Sequence, residues 1–245
     1  IFVDVGRNFC ISPTVDSLPV QLLGNFAGHG SFIYDSAHRI EKDDEVYRIG
    51  NPLVCYSFYA TKNITTVQGG MIVTNNKDYA DWLKKARDHG LTAGTKERYQ
   101  GQYKQYDVEF VGWRFKGDDL RAAIGLEQLK KLPEITKRRN EIVAQYNKGL
   151  SLDRVGNHVY PLLVTDRSAF LRKMMEKGIQ CSVHFLPLHL MTAYKDVKKD
   201  NLFNTETIGK NIVSLPLYPQ MTDEEVKYVI DSVLETSMRM LWEPS

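Results

Sequence analysis

Short apolar runs alternate with amphipathic stretches along this chain. Residues 1–5, 20–23 and 31–34 each read as a buried strand, and the apolar and aromatic run ending at Ser57 reads as another. A Thr-rich turn and the pair Gly69-Gly70 separate that run from a second apolar one ending at Val73, so strand, loop, strand is predicted, with Lys62 on the loop. Asn76 caps a predicted helix whose apolar positions Tyr79, Trp82, Leu83 and Ala86 recur at helical spacing, with Gly90 just past its end. Asp118 and Asp119 open a helix carrying Leu120, Ala123, Ile124, Leu126 and Leu129. Pro133 is expected to interrupt it, and a second helical run follows with Ile135, Ile142, Tyr146 and Leu150 on one face.

Beyond residue 151 the units shorten. A strand is predicted over 155–164, a helix over 168–177 stopped by Gly178, and a strand over 179–185. After a Pro- and Leu-rich loop come a helical stretch near 205–211 and a last helix over 223–236, capped by Thr222 or Asp223. Strands alternating with helices predict an α/β protein. A large domain is expected over 1–133, and a linking helix with a smaller α/β domain over 134–245.

Composition narrows the classes without choosing among them. A length of 245 residues with 42% hydrophobic and 25% charged residues is ordinary for a globular protein. A net charge of +2 with interleaved signs gives no field that implies nucleic acid or an anionic membrane as partner. No run has the length of a bilayer span, and Cys10, Cys55 and Cys181 are odd in number and widely spaced. Buried thiols in a reducing, cytoplasmic setting are expected. The opening residues read as the interior of a domain.

Several residues could carry chemistry. Lys62 lies among Phe58, Tyr59, Ala60 and Ile64, which could desolvate its ammonium and free the amine to attack a carbonyl. It reads as well as a surface lysine closing a loop. Asp35 falls at the carboxyl end of a predicted parallel strand, where ligands bind in open α/β sheets, or it is a turn residue. Asp35, His38 and Ser57 include the residue types of a hydrolase triad, but no Gly-x-Ser-x-Gly elbow accompanies them. Cys181, His184 and His189 offer soft ligands, yet no fourth lies nearby for a structural zinc, and no metal is expected. Arg114 and Lys116, beside Trp113 and Phe115, could meet an anion or form a solvated turn. The loop over 91–110 is long enough to suggest a role.

Taken together, Asp35-Ser36-Ala37-His38, Ser57-Phe58-Tyr59-Ala60-Thr61-Lys62-Asn63-Ile64-Thr65-Thr66 and Gly69-Gly70-Met71 resemble the pyridoxal phosphate site of the nucleotide-sugar aminotransferases of DegT/DnrJ type. Arg87-Asp88-His89-Gly90, the run from Ala122 to Leu129, His184-Phe185-Leu186-Pro187-Leu188-His189 and Leu215-Pro216-Leu217-Tyr218-Pro219 resemble the same family in the same order. The resemblance implies the aspartate-aminotransferase-like fold (fold type I), with a mostly parallel sheet in the large domain, and a homodimer with shared sites. It implies Lys62 as the Schiff-base lysine, Asp35 against the pyridine nitrogen, His38 near the ring and Ser57 on the phosphate. His184 and His189 would border the sugar. The activity implied is transfer of an amino group from an amino acid, L-glutamate, to a keto-sugar nucleotide in amino-sugar biosynthesis.

The chain also departs from the family pattern. Arg114 stands where an amide is usual, in the segment that reaches the partner subunit's phosphate, and arginine binds phosphate bidentately. Lys116 replaces a usual arginine, and Val67-Gln68 a usual Gly-Glu. The family's N-terminal glycine-threonine phosphate loop has no counterpart here, and a linking helix is missing between Gly24 and His29. The large domain is therefore expected to be incomplete at its N-terminus. Two rival readings are a non-catalytic relative serving assembly or regulation, and a sugar dehydratase, which would carry histidine in place of Lys62.

Overall fold

The computed structural model of the chain describes residues 2–3, 33–40, 53–94, 105–197 and 201–237. The expected strand at 20–23 and the glycine-rich stretch before His29 lie outside them, as does Cys10. The chain divides into two compact units, Ile1–Leu132 and Pro133–Ser245.

The first unit is built on a four-stranded sheet in the order β1 (Phe2–Val3), β2 (Ile33–Asp35), β3 (Leu53–Ser57), β4 (Gly70–Val73). The first three strands run parallel, and β4 returns antiparallel to β3 through the loop that carries Lys62. Alternation along β3 decides what faces where. Val54 and Tyr56 are buried, while Leu53, Cys55 and Ser57 point to the opposite, half-buried face. The register Asp35↔Cys55 puts Asp35 on the same face as Cys55 and Ser57, at the carboxyl ends of two parallel strands.

Helix α1 (Lys77–Ala86) follows β4, with Asn76 Oδ1 accepting from the Tyr79 amide at 3.0 Å. At its end, Gly90 (φ +73°) lies so close to the chain at Phe110 that a Cβ would stand 1.9 Å from the Phe110 carbonyl oxygen. This close crossing lets residues 108–115 run beside the end of α1. Leu91 bridges Val108, Asp88 bridges Arg114, and the Trp113 amide donates to Ala86 O at 2.7 Å.

Helix α2 (Asp119–Leu150) starts where Asp118 Oδ1 accepts from the Arg121 amide, and it continues through Pro133 without a break. The expected interruption is corrected for a simple reason. Proline removes one amide donor, whose acceptor would have been Leu129 O, and both Leu129 and Pro133 are exposed, so the lost bond falls on the solvent side of the helix, where its cost is small.

In the second unit β5 (Tyr160–Leu163) pairs antiparallel with β6 (Ile212–Leu215). The unit also holds α3 (Arg167–Glu176), α4 (Phe203–Asn211) and α5 (Asp223–Ser237), and α3 packs against α5. Tyr146, Tyr160, Leu162, Phe170, Met174, Val213, Val226 and Val233 are essentially inaccessible and form one core with Ile142 and Leu150. Each such side chain contributes about 1.5–3 kcal/mol of burial. Thr222 caps α5: its Oγ1 accepts from the Glu225 amide at 3.1 Å, and Glu225 Oε2 accepts from the Thr222 amide at 2.9 Å.

Three expectations here are corrected. Residues 155–159 are not strand, because side chains take their carbonyls: Arg139 donates to Asn157 O and His158 O, and Asn147 to Arg154 O just before them. Residues 179–185 are not strand either, since only Ser182 meets the free edge of β6, at Ser214. The strand β6 itself was not expected, although Ile212-Val213-Ser214-Leu215 ended by Pro216 has the required pattern.

Candidate functional site

The sheet edge and the loop after β3 assemble the site in the first unit. Asp35 ends β2, and the chain turns at once: Asp35 Oδ1 accepts from the Ala37 amide at 3.0 Å and Ser36 N donates to Cys55 O at 2.8 Å. The turn carries His38 and Arg39 to the rim of a small open pocket. Its other walls are Ser57 and the segment Lys62, Asn63 and Ile64. Asp35 thus both caps its own turn and stands at the sheet's carboxyl edge.

The loop holding Lys62 is tied down by its own hydroxyls. Phe58 N donates to Gly69 O at 2.9 Å, and Phe58 O accepts from both Thr66 N (3.0 Å) and Thr65 Oγ1 (3.1 Å). Thr65 Oγ1 accepts from Val67 N at 2.8 Å, and Thr66 Oγ1 donates to Gln68 O at 2.7 Å. These bonds hold Val67 at φ +68°, a conformation a β-branched residue rarely takes. Ile64 and Thr66 are buried beneath the loop. Helix α2 seals it from below, since a Cβ on Gly125 would stand 3.0 Å from Thr66 Cγ2. The loop is therefore a fixed platform, and Lys62 N donates to Tyr59 O at 3.0 Å within it.

Electrostatics follow from this placement. Burial pulls the Lys62 ammonium below the ordinary lysine range, and the nearby Asp35 carboxylate opposes that shift. The Cys55 thiol is pushed up by burial first and by the Asp35 charge second. Lys62 and Cys55 both feel Asp35. Such a set, a partly desolvated amine, a carboxylate, a hydroxyl and an imidazole, suits covalent capture of a carbonyl compound bearing an anionic group.

Arg114 lies elsewhere in the same unit, exposed on the segment that runs beside the end of α1. Trp113 and Phe115 flank it and stack at 6.2 Å. Lys116, two residues on, is engaged by Asp88 Oδ1 at 2.7 Å. His184 and His189 belong to the second unit. His184 Nδ1 lies 2.9 Å from Ser214 Oγ, and His189 Nε2 lies 2.9 Å from Glu206 Oε1. Among the described residues no cluster of three or more His, Cys, Asp or Glu could hold a metal.

Arg39, next to His38 at the strand end, was not singled out in the sequence although its position made it legible; Thr66 and Gly125 were seen only as parts of separate motifs, since 59 residues separate them and no local pattern joins them.

A family model described as the DegT/DnrJ/EryC1/StrS aminotransferase family matches residues 29–234. The chain belongs to that family. The spore coat polysaccharide biosynthesis protein SpsC of Bacillus subtilis is 34% identical over 231 residues, which cover 84% of this chain and 59% of SpsC. The UDP-4-amino-4,6-dideoxy-N-acetyl-beta-L-altrosamine transaminase of Helicobacter pylori is 29% identical over 84% of this chain and 58% of that protein. Among solved structures, the putative sugar aminotransferase Spr1654 of Streptococcus pneumoniae in its PMP-form superposes with a TM-score of 0.73 at 26% identity. That match covers 84% of this chain and 58% of Spr1654, and its PLP-form matches with a TM-score of 0.71. The fold is accordingly the mixed α/β fold of these aminotransferases, fold type I. The chain spans somewhat under three fifths of the length of these relatives. Among the described residues no helix is long and apolar enough to cross a membrane.

Proposed function

We propose that this chain carries the core of a pyridoxal-phosphate-dependent aminotransferase that moves an amino group from an amino acid, L-glutamate, to a keto-sugar nucleotide. The observation that supports this most is Lys62, held on a hydrogen-bonded loop, with its amine partly desolvated and near Asp35. The donor set fits the cofactor. Asp35 would accept the pyridine N–H, Ser57 would bind the phosphate, His38 would flank the ring, and Lys62 would hold the carbonyl carbon. Bound there, the cofactor would supply an electron sink for charge left on the amino donor's α-carbon.

The chain's own residues would do the rest. Asp35, as a carboxylate, keeps a proton on the ring nitrogen by charge and hydrogen bonding. Lys62 Nζ, with its affinity for protons reduced by burial, would be the base that takes the proton from the donor's α-carbon and the acid that delivers it to the cofactor's former carbonyl carbon. The tied loop keeps that nitrogen in position between the two transfers. The segment bearing His184 and His189 would border the sugar, with His189 anchoring it through Glu206.

Arg114 we assign to the phosphate of a second subunit. It is exposed, and with Lys116 engaged by Asp88 it is the cation of that pair that no carboxylate holds among the described residues. A homodimer is supported by the apolar surface around it: Val111, Phe115, Leu120 and Leu126 are each more than three fifths exposed.

The test is spectroscopic. Purified chain given pyridoxal phosphate should gain a near-visible band that Lys62→Ala lacks, and L-glutamate should bleach it. No band in the wild-type chain would defeat the cofactor assignment. A band insensitive to glutamate but bleached by another amino acid would replace the donor.

A further inference from the structure

The turn over 187–190 in the second unit is fixed from two sides. Its own backbone closes it: Leu190 N donates to Pro187 O at 3.1 Å, and Met191 N to Leu188 O at 2.9 Å. Helix α4 then seats it. A Cβ on Gly209 would stand 2.4 Å from both Cγ and Cδ of Pro187, so only glycine lets the proline lie against the helix there. Glu206, three residues earlier and hence on the same face of α4, has its Oε1 2.9 Å from His189 Nε2. Arg167, the first residue of α3, donates through Nη1 to Gly209 O and ties down that end of α4.

Within residues 185–191 His189 is the one polar side chain. Leu186, Leu188, Leu190 and Met191 beside it in the chain are each at least two fifths exposed. A carboxylate accepts hydrogen bonds and donates none. The contact with Glu206 therefore requires a proton on Nε2, and the neutral ring then carries a bare Nδ1. That atom has no partner among the described residues, yet it is not shut off from solvent, and the side chain as a whole is 13% exposed. The turn thus offers one open acceptor in an apolar stretch.

We propose that Glu206 is a positioning residue for the sugar site: it holds neutral His189 as the Nε2–H tautomer, so that Nδ1 accepts a hydrogen bond from the substrate. The group recognised is then a donor, a sugar hydroxyl or the N–H of an acylamino substituent, and not the keto oxygen. This second half rests on the reading above that the segment borders the sugar; the tautomer does not.

Long-range proton–nitrogen correlation spectra of the full chain at pH 8 test the first half, with the His189 signals assigned by their loss in His189→Gln. A single Nε2-protonated form is expected. An Nδ1-protonated ring, a mixture, or a ring protonated on both nitrogens overturns the proposal, and that result needs no variant to fold. Glu206→Ala should release the ring to a mixture, and Glu206→Gln, which keeps an acceptor oxygen at the same reach, should restore the single form. A single form that persists in Glu206→Ala would strip Glu206 of the role. Steady-state kinetics with the best acceptor from a panel of keto-sugar nucleotides test the second half. Glu206→Ala should raise KM about tenfold with kcat little changed, and Glu206→Gln should recover it. If the tautomer is as expected but neither Glu206→Ala nor His189→Gln alters KM, the sugar contact is wrong and Glu206's control of the ring stands alone. Turnover of no panel member would refute the acceptor reading, and the sugar contact with it, while the spectra still decide the tautomer.

Discussion

The platform under Lys62 can be tested through one contact, Gly125 against Thr66. In Gly125→Ala the new methyl would stand 3.0 Å from Thr66 Cγ2, several tenths of an ångström inside ordinary contact. Two effects oppose each other. Alanine in place of glycine within a helix favours folding by roughly 1 kcal/mol. Against it, Thr66 must move, and Thr66 is pinned: it is 7% exposed, its amide donates to Phe58 O at 3.0 Å and its Oγ1 to Gln68 O at 2.7 Å. Overpacking at such a site costs about 1–3 kcal/mol. Leaving the hydroxyl unsatisfied would add about 1–3 kcal/mol. The clash wins: Gly125→Ala should destabilise the first unit by about 0–2 kcal/mol net with the hydroxyl bond kept and about 1–5 kcal/mol with it lost.

A double-mutant cycle isolates the contact. Thr66→Ser keeps the hydroxyl and deletes Cγ2, so Gly125→Ala on that background should be neutral or stabilising by up to about 1 kcal/mol. The coupling energy between the two sites should therefore exceed about 1 kcal/mol. Urea unfolding followed by tryptophan emission suits the measurement on a Trp242→Phe background, because the other two tryptophans, Trp82 and Trp113, both lie in the first unit. In Gly125→Ala the absorbance band with pyridoxal phosphate should weaken, and Thr66→Ser should recover it. A stabilising single Gly125→Ala, or additive effects of the two changes, would refute the idea that α2 supports the lysine loop.

Three further outcomes follow from the charges and caps. In Asp35→Asn the Cys55 thiol loses a charge that pushes it up, so Cys55 should react with iodoacetamide faster at a given pH, read by peptide mass spectrometry. The same change should lower the Lys62 amine further, since Asp35 is what opposes its burial. In the second unit, burial pushes the Cys181 thiol from 9.0 up to about 11 and drives the Tyr146 and Tyr160 hydroxyls upward as well. The folded state thus holds these protons longer than the unfolded one, and stability present below pH 9 should fall as pH rises toward 11, by about 2–3 kcal/mol for Cys181 alone. Guanidinium unfolding at pH 8 and 10.5 checks this, and Cys181→Ala should flatten the dependence. Thr222→Ala should cost about 1 kcal/mol by breaking the reciprocal cap of α5, with Thr222→Ser restoring it.

What could be read from the residues alone was the local chemistry. Asn76, Thr222 and Gly90 do what their types do at helix ends, and the strand, loop, strand around Lys62 follows from apolar runs split by Thr65-Thr66 and Gly69-Gly70. The run at 155–159 shows what its own residues could not reveal, because its state is set by groups distant in sequence. Arg139 shows this most directly. From the middle of α2 it donates to the carbonyls of Asn157, His158 and Leu217, the last at 2.9 Å. Burial pulls it down to about 10, which leaves it a cation at neutral pH. A buried cation must be answered by oxygen, and here backbone carbonyls answer it, so the 155–159 run cannot spend those carbonyls on a sheet. The same dependence explains Lys62. Its neighbours Phe58, Tyr59 and Ala60 leave both a surface lysine and a reactive amine open; the burial and the nearby Asp35 that act on its ammonium, and the loop held by Thr66 against Gly125, depend on residues outside that run.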